Sequence, residues 1–118
     1  MKNLFLVIIV LFLLINCERS EKKEPVMSCN VENPLEDLPW LKELKNTLTG
    51  CTCEISIIQA LYQNETVFYT TLTDYLCDGV FHVELMDCSG AVIKEYNIGN
   101  AGLFNTEVTE LNVIHKCK

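Results

Sequence analysis

The sequence predicts an α+β domain stapled by disulfides, with one N-terminal amphipathic helix packed on an antiparallel β-meander of four to five strands. Three observations carry that expectation. Leu38, Leu41, Leu44 and Leu48 recur at helical spacing. After Gly50, short runs alternate apolar and polar residues between turn residues. Six cysteines are spread over residues 29–118, where cross-links would support a core too small to hold a fold easily alone.

What precedes the domain is a different kind of sequence. Lys2 is followed by twelve consecutive apolar residues, Leu4 to Ile15. As a helix that run spans about 18 Å, short of the ~30 Å hydrocarbon core, so it has the length of a secretion signal and not of a membrane span. It ends in Leu14-Ile15-Asn16-Cys17, which resembles the bacterial lipobox, although Asn16 departs from the glycine or alanine usual before the cysteine. The resemblance implies lipid transfer to the Cys17 thiol, cleavage before it, and acylation of the new amine by a palmitate-like chain. Two or three chains at about 0.8 kcal/mol per buried methylene would make a firm anchor. The expected division is therefore a lipoprotein signal peptide over residues 1–16, a lipidated cysteine and tether over 17–28, and a single α+β domain over 29–118.

Glu18 to Pro25 is almost wholly polar and reads as a hydrated tether. Its acidic residues beside Cys17 resemble the surface-export signal of Bacteroidota lipoproteins. The address this implies is the cell envelope, lipid-anchored at the outer membrane and exposed at the surface. Without residues 1–16 the chain carries eight basic against sixteen acidic residues, a net charge of −8. Phosphate backbones would repel it, so nucleic acid is set aside as a partner.

In the domain, Asn33-Pro34-Leu35-Glu36 has the form of a helix start, with Glu36 at capping-box spacing, and Asp37-Leu38-Pro39-Trp40 could serve one turn later. The helix runs from about Leu38 to Leu48, and Gly50 stands at its C-terminal cap. In Cys53 to Ile57 the odd positions are apolar, whereas from Ile58 the even ones are, which predicts a β-bulge near Ile57-Ile58. Gln63-Asn64-Glu65 makes a hairpin into a strand over Thr66–Leu72. A loop follows over Thr73–Gly79, then a strand marked by Phe81, Val83 and Leu85. Asp87–Gly90 is a turn, Ala91–Tyr96 a strand, Asn97–Asn105 a loop, and Leu111–Cys117 the last strand.

The chain has seven cysteines; if Cys17 is taken by lipid, Cys29, Cys51, Cys53, Cys77, Cys88 and Cys117 remain as an even set of disulfide candidates. Cys51 and Cys53 share one side of a strand and are not expected to bond to each other. Following the meander predicts Cys88–Cys117, Cys77 with Cys51 or Cys53, and Cys29 with whichever of that pair remains. A metal site built from Cys51, Cys53 and His82 or His115 is disfavoured, because C-x-x-C pairs are absent.

Neither a cofactor nor a metal is expected. His82 and Glu84 could form an acid–base pair on one strand face, though outward polar residues explain them as well. His115 reads as a satisfied, partly buried histidine. Asp74 and Asp78 lack the spacing of a calcium loop. No G-x-S-x-G, H-E-x-x-H or phosphate-cradling glycine loop occurs.

Asn33 to Leu41, Cys53-Glu54-Ile55, Leu76-Cys77-Asp78-Gly79, Asp87-Cys88-Ser89-Gly90 and the terminal Cys117-Lys118 resemble a family of small Bacteroidota lipoproteins of unknown function. That resemblance implies no activity. The order of helix and strands is also similar to the cystatin-like architecture, in shape alone. The functional expectation is a non-enzymatic module that binds a protein or glycan partner and touches the membrane only through its anchor. Asp74, Tyr75 and Asp78 would form its binding loop, and Asn97–Asn105 a second candidate contact surface. The alternative is a small envelope hydrolase or protease-inhibitor-like protein using His82 and Glu84.

Overall fold

The structure is a computed structural model that describes residues 28–118; the expected signal segment, Cys17 and the expected tether to residue 27 lie outside the described residues. Those described form a small α+β fold with a five-stranded antiparallel sheet and three disulfides. Its strands are β1 (Ile55–Tyr62), β2 (Glu65–Leu72), β3 (His82–Met86), β4 (Val92–Asn97) and β5 (Val108–Cys117).

Two helices form where one was expected, the longer of them over the leucine-spaced stretch Leu38–Leu48. A one-turn helix α1 (Pro34–Asp37) and a longer α2 (Pro39–Thr47) are separated at Leu38, which is extended at φ −99°, ψ 108°. The cause is local: a residue before proline is driven out of the helical region, so Pro39 both ends α1 and opens α2. The capping partner also differs from the expectation. Asp37, not Glu36, accepts the Asn33 N–H at 2.9 Å, while Glu36 pairs with Lys42 and Lys45 at 3.2 and 3.1 Å. Leu41 of α2 is fully buried against Ile57 and Phe68, flanked by Leu38, Trp40, Leu44 and Leu48.

The strand order is β4-β3-β2-β1-β5, so only the first four strands make a meander. Gln63 and Asn64, both at positive φ (51° and 63°), form the two-residue turn joining β1 to β2, whose twist suits a tight hairpin. The last strand does not continue the meander. It returns to pair antiparallel with β1, opposite Ile55 at Cys117 and opposite Tyr62 at Val108. β4 and β5 therefore run in the same direction on opposite edges, and the chain between them must cross the sheet.

That crossing contains the helix α3 (Ala101–Glu107), in the segment read from the sequence as an Asn97–Asn105 loop. Gly102, Asn105 and Thr106 are poor helix formers, which is why the sequence hid it. Packing overrides them. Phe104 meets Tyr69, Phe81 and Tyr96 edge-on, with ring centroids at 5.4, 5.6 and 5.3 Å. Tyr96 donates its hydroxyl to Glu107 at the end of the helix.

Helices thus lie against both faces of the sheet, where one covered face was expected. On one side Ile58, Ala60, Val67, Tyr69, Val83, Leu85 and Tyr96 form a core under Phe104; on the other Ile57 and Phe68 pack under α1 and α2. This accounts for the change of apolar phase in β1. The register of β1 with β2 runs without interruption from Ile55–Leu72 to Tyr62–Glu65, so β1 holds no bulge. It is simply apolar on both faces. The register shifts occur against β5, between Ile57 and Ile58 and between Gln59 and Ala60, where β5 carries the additional residue each time.

The disulfides are Cys29–Cys88, Cys51–Cys117 and Cys53–Cys77, with Cα atoms 5.5, 5.7 and 6.1 Å apart. Cys53–Cys77 is one of the two alternatives expected for Cys77. Cys88–Cys117 and a Cys29 bond to Cys51 or Cys53 are overturned by topology. Because β5 descends beside β1, Cys117 arrives at the end of the sheet where Cys51 and Cys53 enter. Cys88, in the β3–β4 turn, lies at the other end.

Candidate binding surface

The end of the sheet that gathers Cys51, Cys53, Cys77 and Cys117 also carries the loop Thr73–Gly79. It is attached at two points, Thr73 and Cys77. At the first, the Thr73 N–H donates to the Glu54 carbonyl at 2.9 Å, and the Thr73 hydroxyl reaches Glu54 Oε1 at 2.7 Å and the buried Ser56 hydroxyl at 3.0 Å. The Thr73 hydroxyl, then Lys116 at 3.4 Å, holds the Glu54 carboxyl below the ordinary range. Within it, Cys77 is bonded to Cys53 at the entry to β1.

Between these two attachments the backbone turns on Asp74. Its Oδ1 accepts the Leu76 N–H at 3.0 Å and its carbonyl accepts the Cys77 N–H at 3.2 Å, an Asx-type turn. The turn leaves Tyr75 93% and Leu76 78% exposed. Asp78 is also exposed. Of the three residues assigned to this loop from the sequence, Asp74 shapes it, whereas Tyr75 and Asp78 face outward. Val80, 83% exposed, was not anticipated, and neither was Leu76 as a contact residue. A signal existed: large apolar side chains in a turn-rich stretch where no alternation assigns them to a core.

Beside the loop the sheet is loosely joined. β2 and β3 share one register pair, Phe68 opposite Met86, while β3 and β4 pair from His82–Asn97 to Met86–Val92. Where β2 and β3 diverge lies an open groove of about 230 Å³, lined by Leu72, Asp74, Gly79, Val80, Phe81 and His82 among others. His82 Nε2 stands 3.5 Å from Glu84 Oε1 at its margin, both side chains about half exposed. The pair expected from the sequence is therefore in place, in water.

The opposite end has another character. A wide depression of about 660 Å³ is lined by Cys29, Asn30, Asn64, Glu65, Asp87 and Ser89. Its turn is held by Asp87, whose Oδ1 accepts the Ser89 hydroxyl at 2.6 Å, the Ser89 N–H at 2.8 Å and the Ala91 N–H at 3.1 Å. The Ser89 contacts lead in holding the Asp87 carboxyl below its usual range. Trp40 donates its indole N–H to the Cys88 carbonyl at 2.9 Å, which makes it a brace between α2 and this turn.

His115 is half-buried on β5, and its Nε2 is enclosed without a hydrogen-bond partner among the described residues; the expectation of a satisfied histidine does not hold. Cys51 and Cys53 are in disulfides, and no group of three or more His, Cys, Asp or Glu side chains is arranged to hold a metal ion among the described residues. Among those residues no helix is long and apolar enough to cross a membrane. No family model, curated protein or solved structure matches the chain.

Proposed function

We propose that this chain is a lipid-anchored module of a bacterial cell envelope, akin to the small Bacteroidota lipoproteins it resembles, and that it binds a partner through the Thr73–Gly79 loop and does not turn over a substrate. The observation that carries the reading is a contrast within that loop: Thr73 and Cys77 are fixed by hydrogen bonds and a disulfide, yet Tyr75 and Leu76 between them are held out in water. Leaving a leucine side chain exposed forgoes about 1.5–3 kcal/mol of burial. A loop ordered at that expense is preorganised for contact. The anchor rests on Cys17 and the apolar run before it, and the parity of the other six cysteines agrees with it.

Intact mass of the envelope-purified protein tests the anchor. Cleavage before Cys17 with added acyl chains is expected, and an unmodified amino terminus would overturn it. Pull-down from envelope fractions with residues 26–118 tests the binding: a partner retained by the native domain and lost with Tyr75→Ser/Leu76→Ser is expected. Equal retention by both would refute the loop's role.

A second reading, a small hydrolase, is favoured by the 3.5 Å approach of His82 to Glu84. It predicts that His82→Ala/Glu84→Ala abolishes an envelope phenotype. The binding reading predicts no change, and a stability difference below about 1 kcal/mol for so exposed a pair.

A further inference from the structure

Among the described residues, the four most exposed large apolar side chains are Tyr75 at 93%, Val80 at 83%, Leu76 at 78% and Ile98 at 77%. They come from two separate connections, β2–β3 and β4–α3. The register of the sheet brings both to one end, since His82 at the start of β3 pairs with Asn97 at the end of β4 and β2 runs down to Leu72 beside them. Cys29, where the described chain begins, is bonded to Cys88 at the other end, about 25 Å away along the eight residues of β1.

We infer that this apolar end is a tip held away from the anchoring membrane, and that it docks into a protein recess with apolar walls and a cationic rim. The inference rests on the anchored binding reading and adds orientation and partner chemistry to it. The chain toward Cys17 joins the domain at the Cys88 end, which makes the tip the part of the domain farthest from its attachment. Beside the loop stand Lys116, paired with Glu54 at 3.4 Å, and Lys118, which lines a recess with Tyr75 and Leu76, so Glu54, Asp74 and Asp78 outnumber the two lysines, and the chain without residues 1–16 carries a net charge of −8. That distribution opposes an anionic bilayer, which recruits apolar segments flanked by basic residues. It also opposes a tip-to-tip dimer, because a two-fold contact would bring the same carboxylates together. A protein surface whose basic groups ring an apolar recess satisfies both the side chains and the charge.

Site-specific photo-crosslinking of the full-length protein in cells tests this, with the photoreactive residue at Tyr75 and, as control, at Asn64 on the opposite end. The expected result is one protein adduct from position 75 and none from position 64, with the captured peptide containing both apolar and basic residues. Leu76→Ser/Val80→Ser should reduce its yield at least about tenfold, and Asp78→Lys about fivefold, while exported amount and disulfide pattern stay unchanged. Lipid adducts at position 75, a homodimer adduct, equal labelling from both ends, or no adduct would each overturn the inference. Failure of the anchor is read separately, from the mass of the amino terminus: an unacylated chain removes the orientation argument, whereas an acylated chain without a tip-specific adduct removes the docking.

Discussion

Gly90→Ala should destabilise the domain by roughly 2–5 kcal/mol, and three features of one turn add up to that figure. Gly90 has φ +84°, where an L-residue is disfavoured by about 1–2 kcal/mol. A Cβ there would sit 2.8 Å from both Cγ and Cδ2 of Trp40. The indole cannot retreat freely, because its N–H is bonded to the Cys88 carbonyl at 2.9 Å and its ring meets Phe68 edge-on at 5.8 Å. Each of those contacts contributes about 0.5–1.5 kcal/mol. Two other glycines separate the components. Gly50 has φ +64° with nothing within 4 Å of a built Cβ, so Gly50→Ala should show only the backbone term, about 1–2 kcal/mol. Gly102, in α3 and equally open, should be neutral or stabilised by about 0.4–1 kcal/mol on substitution with alanine. Urea unfolding followed by fluorescence of Trp40, the single tryptophan, measures all three on one scale. If Gly90→Ala loses no more than Gly50→Ala, the packing of Trp40 on the β3–β4 turn is refuted.

The disulfides should rank by the loops they close: removing Cys29–Cys88, which spans 59 residues, should lower stability by about 4 kcal/mol and removing Cys53–Cys77, which spans 24, by about 3, as urea midpoints of paired Cys→Ala variants would show. Phe104→Ala removes the centre of the aromatic cluster under α3 and should cost about 3–5 kcal/mol, again by urea unfolding, with the far-UV signal of the sheet retained below the transition. In acid, Asp87 has a folded pKa below its ordinary 3.8, so its contribution is present above that value and lost as pH falls through it; Asp87→Asn should flatten the stability profile below about pH 4. In alkali, burial and then Glu110 push the Tyr69 hydroxyl up from 10.0 to about 12, so its contribution is present below pH 10 and lost as pH rises toward 12; Tyr69→Phe should flatten that limb.

Local chemistry made much of the sheet legible. Phe81, Val83 and Leu85 alternate against His82, Glu84 and Met86 because β3 has one buried face, and β3 is where that pattern falls. The turn at Gln63-Asn64 is a two-residue hairpin whose strands declare it on either side. What the sequence concealed depends on distant partners. Nothing near Val108–Cys117 states that this strand pairs with β1 and not β4, and the disulfide pairing of Cys117 followed from that choice. α3 is helical because Phe104 has a pocket of aromatic rings to fill, against the preference of Gly102 and Asn105. The break at Leu38 was written in Pro39, and the leucine spacing that starts there marks α2; Asn33-Pro34 before it read as an alternative start of the same helix and proved to open a separate turn. For the candidate surface, the loop was legible as a loop; that Ile98 would fall at the same end of the sheet as its apolar residues depended on the register.

The Cys29–Cys88 bond also fixes how the molecule would answer to a pull. Suppose load enters through the tether at Cys29 and leaves through a partner gripping Tyr75. Along the chain those points are 46 residues apart, enough to pay out about 160 Å if the fold came undone. The bond provides a shorter covalent route, across to Cys88 and back through β3 to Tyr75, 13 residues and about 45 Å at full stretch. Most of the helices, β1 and β2 would then hang slack beside the stressed path. In single-molecule stretching between these points the oxidised protein should show only a short extension, and a reductant should release the long one. Loaded between those two points, the oxidised molecule would yield little before it breaks.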